Sequence, residues 1–359
     1  MLTSKPVQKD LEEFIAMRYR WLLAPFYLLS IFTAAKSFRG NPVLGSRTLN
    51  RWGLHVLRKR VAGRIGQWRR RQLAATVSAE DRAALERDGF IIKRNFLDPA
   101  TFQALRDEIT ALDVDAREAV IGDTLTRLIP LDAKTMPGLP VTRGVVESPA
   151  YRNLLAYVGS FRRRPRLYVQ TVFSQFCEGE PDIQSFFHSD TFHPTLKSWL
   201  FLQDVAQDES AFTYVPGSHR YNRRRLAWER RVSMSAAEGR DRLTAEGSLR
   251  ISEREIRRLG YGPPLRLALP ANTLVVADTS GIHARSTTLK QTVRVSIWAY
   301  SRSNPFLPWV GGDLESLPGI KGRALRLTWA LQKAFTRKPP SPSAWQFVGK
   351  RSPWGAPGR

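Results

Sequence analysis

The chain has 359 residues, 42% of them hydrophobic, which is enough for one large core with appendages and excludes a disordered polymer or a small disulfide scaffold. Its single cysteine, Cys177, excludes an internal disulfide and any multi-cysteine zinc or redox motif; it fits a reducing compartment, so a cytoplasmic location is expected. The formal net charge of +24 is concentrated at the ends, with thirteen Lys or Arg and no Asp or Glu between Phe14 and Ala79, and nine basic against two acidic residues from Phe306 onward.

Basic ends call for an anionic partner. Residues 21–35 (WLLAPFYLLSIFTAA) form an uncharged run of fifteen, interrupted by Pro25 and short of the roughly 20 residues that span a bilayer. Such a run either lies in a membrane interface or packs as a core helix. Residues 47–71 read as a basic helix. Ser78 is placed to cap a helix running through Leu85, a short apolar strand follows at residues 90–93, and Asp98 with Pro99 opens a helix reaching to about Leu112. From Arg166 the pattern turns to short β-branched and aromatic runs, at residues 167–176, 198–205, 212–215, 273–277 and 293–300, separated by Pro216-Gly217, Pro263-Pro264 and Pro270. Short strands at this spacing imply a sandwich, jelly roll or barrel. Residues 221–262 interrupt them with a charged, helix-like insertion, either a lid over the barrel mouth or a solvated excursion. Near the end, residues 319–338 mix Leu325, Trp329, Leu331 and Phe335 with Lys and Arg, the composition of a basic amphipathic helix. The two apolar and basic segments favour an anionic membrane surface over nucleic acid, for which no recognised binding motif is present. The expected organisation is a basic helical extension over residues 1–80, a main domain over 81–305 carrying the insertion, and a basic tail over 306–359.

The chemistry begins at His188-Ser189-Asp190, because residues two apart on an extended segment point to the same side and can meet one ion. By itself such a triplet more often makes a surface hydrogen bond. The apolar run at residues 273–278 changes that reading, since it ends in a turn that delivers His283. Two imidazoles and one carboxylate form a facial set that leaves three positions open on a six-coordinate iron, although zinc accepts the same donors. Arg294 follows eleven positions later on the next strand, with Ser296 on the same face. A guanidinium beside a hydroxyl makes a receptor for a carboxylate; the alternative is a structural ion pair with a protein carboxylate.

These segments, FFHSDTFHPTLKSWLFLQDV, AFTYVPGSHR and NTLVVADTSGIHARSTTLKQTVRVSIWAYS, resemble the phytanoyl-CoA dioxygenase family over about residues 81–303, in motif order as well as content. The resemblance implies a mainly β fold with flanking helices around a double-stranded β-helix, a cupin-like jelly roll. It implies Fe(II) held by His188, Asp190 and His283, with 2-oxoglutarate and dioxygen as cosubstrates. Arg294, assisted by Ser296, would hold the distal carboxylate of 2-oxoglutarate, with Gln175 or equally Gln170 as a polar contact. His219 is expected to be structural and His193 to line a pocket or the surface, while Phe186, Phe187, Phe192 and Trp199 either wall the site or pack the core. Halogenating relatives replace the carboxylate, so Asp190 implies hydroxylation or a related oxidation of a small-molecule substrate. The basic apolar ends add the expectation of a cytoplasmic enzyme peripheral to the inner face of a membrane, for which a lipid-linked substrate is the natural class. The alternatives are a catalytically silent scaffold that keeps the fold and a zinc-dependent binding module or hydrolase.

Overall fold

The computed structural model describes residues 24–311 and 345–357. Strand β12 (Thr292–Ser301) shows how the sequence builds the architecture. Val293, Val295, Ile297 and Ala299 enter a core beneath helices, so the alternate residues Arg294, Ser296 and Trp298 face the other way. It pairs with β4 (Arg166–Ser174) on one side and β6 (Leu196–Phe201) on the other. With β1 (Phe90–Lys93), β2 (Val114–Ile121), β3 (Thr124–Pro130), β10 (Leu274–Asp278) and β13 (Gln346–Arg351) they form an eight-stranded antiparallel sheet in the order β1-β10-β6-β12-β4-β3-β2-β13. The second sheet has the order β8-β5-β11-β7-β9, from β5 (His188–Ser189), β7 (Phe212–Tyr214), β8 (Leu249–Arg250), β9 (Leu265–Arg266) and β11 (His283–Arg285). Between the sheets Phe90, Trp199, Phe201, Val275 and Ala277 pack with Phe212 and Tyr214. This is the expected jelly roll, mainly β with flanking helices.

Helices cover the outer face of the large sheet. Ser78 caps α4 (Ala79–Asp88) and Asp98 caps α5 (Pro99–Thr110), as the sequence indicates, while α6 (Pro140–Glu147) and α7 (Pro149–Gly159) complete the layer. The basic stretch before them is two helices, α2 (Arg47–Arg51) and α3 (Leu54–Leu73), divided at Gly53, whose φ of 100° is left-handed. Before both comes the short α1 (Ala24–Leu29).

Two sequence expectations change here. First, the residue 21–35 run does not pack as a core helix where it is described: Phe26, Leu28, Leu29 and Phe32 are 56–67% exposed. Second, the insertion is not a solvated excursion. Its helices α8 (Arg223–Ser235), α9 (Arg242–Ala245) and α10 (Glu253–Arg258) bury Trp228 and Ile256 against Val215 and Ile282, and its strand β8 pairs with β5. The basic extension is likewise integral. His55 and Lys59 of α3 reach Glu229 of α8 at 3.0 and 2.9 Å, and Lys36 Nζ donates to the Asp190 carbonyl at 2.7 Å. The amphipathic segment expected at residues 319–338 lies outside the described residues, as do residues 1–23. No helix among the described residues is long and apolar enough to cross a membrane.

Candidate metal centre

Cross-strand register creates the site. In the small sheet His283 pairs directly with His188 on one side and Tyr214 on the other, and directly opposed residues place their side chains on the same face. The two imidazole centroids are consequently 4.4 Å apart. Asp190, two residues beyond His188, has its main-chain N–H anchored on the Thr279 carbonyl at 3.0 Å, and its Oδ1 lies 3.6 Å from His188 Nε2 and 3.8 Å from His283 Nε2. One ligand atom from each of the three residues falls within 4.8 Å of the others.

The tautomers follow from the backbone. The Nδ1 atoms of His188 and His283 lie 2.8 Å from the Phe186 carbonyl and 3.0 Å from the Gly281 carbonyl. A carbonyl only accepts, so each Nδ1 carries the proton and each Nε2 presents a lone pair to the centre. His283 Nε2 is buried with no hydrogen-bond partner. Burial lowers both imidazole pKa values, His283 well below the usual range with His188 adding to the effect, so both are neutral at pH 7. For Asp190, burial would raise the carboxyl, but the Lys197 ammonium opposes it and the carboxyl lies well below the usual carboxylate range. Lys197 Nζ sits 2.8 Å from Asp190 Oδ2, which leaves Oδ1 for the imidazole side.

Gly281 is required by close approach. A Cβ there would lie 1.8 Å from Tyr214 Oη, and Tyr214 is fully buried, donating to the Asp278 carbonyl at 2.8 Å. Tyr214 and Phe212 place their rings 6.4 and 5.7 Å from that of His283, and Trp199 stacks on Phe212 at 4.5 Å.

Arg294 is buried and has no carboxylate partner among the described residues; it donates from Nη1 to the Ser210 carbonyl, and its Nε has no partner at all. Burial, with Arg285 adding to it, pushes the guanidinium down to about 9, which still leaves it charged at neutral pH. Among the described residues, no ion pair explains this buried arginine. Ser296, on the same face, has an equally buried and unpartnered hydroxyl.

The phytanoyl-CoA dioxygenase (PhyH) family matches residues 85–253. The likeness to that family thus spans somewhat less than half of the chain. The match takes in His188 and Asp190 and stops before His283, Arg294 and Ser296, so the fold itself supplies the second half of the site. No curated protein sequence matches the chain. Among solved structures, the epimerase SnoN in complex with Fe3+, alpha ketoglutarate and nogalamycin RO is 18% identical, with 68% of this chain and 91% of that chain covered at a TM-score of 0.41. HygX from Streptomyces hygroscopicus with nickel, 2-oxoglutarate and hygromycin B is 14% identical, covering 69% and 94% at 0.39. EctD from S. alaskensis with 2-oxoglutarate and 5-hydroxyectoine is 14% identical, covering 64% and 80% at 0.39.

The residues of the matched region and of the strands beyond it fit Fe(II) and 2-oxoglutarate on their own chemistry. The donor set is two neutral imidazoles and one ionised carboxylate, and the atoms left unsatisfied in the buried interior include His283 Nε2, Arg294 Nε and Ser296 Oγ. Other expected residues fall elsewhere. Gln175, at a left-handed φ of 62°, spends both amide hydrogens on Asp123 at 2.8 Å and the Thr288 carbonyl at 3.0 Å, so it has none to offer a cosubstrate. Gln170 is the glutamine opposite Ser296 in the β4-β12 register. His193 is buried outside the ligand cluster, pushed down to about 3 by burial, and His219 packs against Gly89. Phe192 stacks under Arg58, 4.2 Å from its guanidinium, Phe186 is exposed and Phe187 packs on the core formed with the insertion, so of the four aromatic residues Trp199 is the one tied to the imidazoles through Phe212. Lys197, Phe212 and Tyr214 escaped sequence reasoning. The signal for the aromatic pair was the alternation in Phe212-Thr213-Tyr214 immediately before the Val-Pro-Gly-Ser-His turn.

Proposed function

We propose that this protein is an Fe(II)- and 2-oxoglutarate-dependent dioxygenase that hydroxylates a small-molecule or lipid-linked substrate, releasing succinate and CO2. The observation that carries the reading is the pair of unsatisfied buried groups: a lone-pair imidazole nitrogen on His283 beside His188 and Asp190, and a guanidinium on Arg294 with no carboxylate partner among the described residues. Fe(II) with 2-oxoglutarate supplies the oxidation of a C–H bond by dioxygen. The chain's own part is placement. His188, Asp190 and His283 hold the metal from one side, all three already in the protonation state that ligation needs. Arg294 and Ser296 bind the distal carboxylate of the cosubstrate through charge-assisted hydrogen bonds. Trp199, Phe212 and Tyr214 wall off water on the sheet side, and Lys197 keeps one carboxylate oxygen of Asp190 occupied. Retention of Asp190 favours hydroxylation over halogenation, and the insertion packed along β5 is the element positioned to meet substrate.

Anaerobically purified protein supplied with Fe(II), 2-oxoglutarate and oxygen is expected to form succinate, and His188→Ala or Asp190→Ala to form none above the no-enzyme rate. Succinate formation at the wild-type rate in either variant would sink the assignment. A membrane location extends the same reading: the cluster Phe26, Leu28, Leu29 and Phe32 faces outward beside a stretch of the chain that has no acidic residue, which suits shallow insertion into an anionic surface and a lipid-linked substrate.

A further inference from the structure

Helix α3 presents a second feature that the metal centre does not use. Lys59, Gly63, Gln67 and Arg70, followed by Ala74 just past the helix end, recur at helical spacing along one stripe, and that stripe forms one wall of a cleft of about 590 Å³. Its other walls come from Arg82 and Glu86 of α4, the His219-Arg220-Tyr221 turn, Phe192 and Pro194, and the Asp278–Ser280 turn at the floor. Two glycines let the helix come this close. A Cβ on Gly66 would lie 2.8 Å from Pro194 Cγ, and one on Gly63 would lie 3.0 Å from Tyr221 Oη. None of His188, Asp190, His283 or Arg294 lines the cleft.

The charge inside is unbalanced. Five cationic side chains line it, Lys59, Arg70, Arg71, Arg82 and Arg220, against two carboxylates, Glu86 and Asp278. Asp278 is taken by Arg70 at 2.7 Å, and Lys59 is matched by Glu229 at 2.9 Å from behind the wall. Arg71, Arg82 and Arg220 are then opposed by Glu86 alone. Arg82 is held in place by donating to the Ala74 and Val77 carbonyls at 2.8 and 2.9 Å, which orients it without cancelling its charge. Arg71 and Arg220 are exposed and have no side-chain partner among the described residues. Free guanidinium forks over a concave surface that already carries fixed positive charge are the arrangement that captures phosphate oxygens in pairs.

We infer that this cleft binds a phosphate-bearing anion, presented either by a free phosphate ester or by a lipid headgroup. The site is built jointly by the basic extension and the catalytic domain, which gives the extension's charge a specific use. It does not depend on the metal, so it can fail while the oxygenase reading stands.

The experiment uses full-length protein and two double variants that remove the same net charge. Arg71→Glu with Arg220→Glu strikes the cleft; Arg240→Glu with Arg254→Glu alters exposed arginines of the insertion. Calorimetric titration with inorganic pyrophosphate, and flotation with phosphatidylcholine vesicles carrying phosphatidic acid, are run on all three proteins, with thermal unfolding as the check on folding. The expected result is saturable binding that the cleft variant loses at least tenfold and the insertion variant retains. Binding in the pyrophosphate arm identifies a free ester as the source, and cleft-dependent binding in the vesicle arm alone identifies a headgroup. No saturable binding in either arm, or an equal loss in both double variants, overturns the proposal.

Discussion

A buried guanidinium without a carboxylate beside it is unfavourable until an anion arrives, which makes Arg294 the most informative single residue of the site. A charge-assisted hydrogen bond to a buried anion contributes about 1.5 to 3 kcal/mol, so Arg294→Ala is expected to raise the KM for 2-oxoglutarate by roughly ten- to 150-fold, with a smaller effect on the rate at saturation. Steady-state kinetics at varied 2-oxoglutarate check this; an unchanged KM would mean that the cosubstrate binds elsewhere. That Arg294 and Ser296 share a face, and that His188 and Asp190 stand two apart, was legible in the sequence through period-two alternation, whereas the meeting of His283 with His188 comes from cross-strand register. Gln175 was not legible. It follows the last residue of β4, where the chain has left the strand and taken a left-handed turn, so alternation no longer describes its direction. Lys197 was hidden for another reason: what matters is its partner, Asp190, and that contact depends on how the β5 and β6 segments are brought together in space.

At the scale of elements, the fold is fastened by a buried charge cluster between the extension and the insertion. Glu229 on α8 accepts from Arg225 at 2.8 Å, Lys59 at 2.9 Å and His55 at 3.0 Å, and Arg225 reaches on to the carbonyls of Ser218 and Ser280. Burial would raise the Glu229 carboxyl, but Lys59 and Arg225 hold it well below its ordinary 4.5. Glu229→Gln removes the anion and leaves two buried cations facing each other, so a loss of about 3 to 5 kcal/mol in unfolding free energy is expected at pH 7. The folded-state pKa is depressed, so the carboxylate's contribution is complete above pH 4.5 and lost as pH falls through the folded value. The gap between wild type and variant, measured by urea unfolding, should therefore narrow below pH 4.5; a gap of zero at pH 7 would show the cluster to be inert. Helix caps at Ser78 and Asp98 and the long strands were legible because each is set by local chemistry. Strands β5, β8, β9 and β11 have two or three residues each and exist only through their partners, which no local pattern reveals.

For the whole molecule, the basic ends look detachable in the sequence, yet their described parts pack into the fold. Lys36 grips the main chain of Asp190, α3 carries half of the Glu229 cluster, and β13 closes the edge of the large sheet against β2. A composition boundary near residue 80 reports where acidic residues resume, and packing ignores it. Truncating the extension would therefore damage the site, and membrane association is better tested by replacing Phe26, Leu28, Leu29 and Phe32 with Ser. Flotation on anionic vesicles should fall at least severalfold while succinate formation in solution persists; unchanged flotation would remove that cluster from the account. The long strands of the jelly roll were readable because they depend on alternation, whereas the assembly of extension, insertion and tail around it depends on buried charges that lie far apart in the chain. His283 gives the most direct test of the central claim, being the ligand that lies beyond the matched family region and is joined to the others by register alone. Iron content and Fe(II) affinity, measured anaerobically on wild type and His283→Ala, should show one tightly held ion per chain in the first and a loss of at least tenfold in the second; equal, tight iron binding in both would contradict the account.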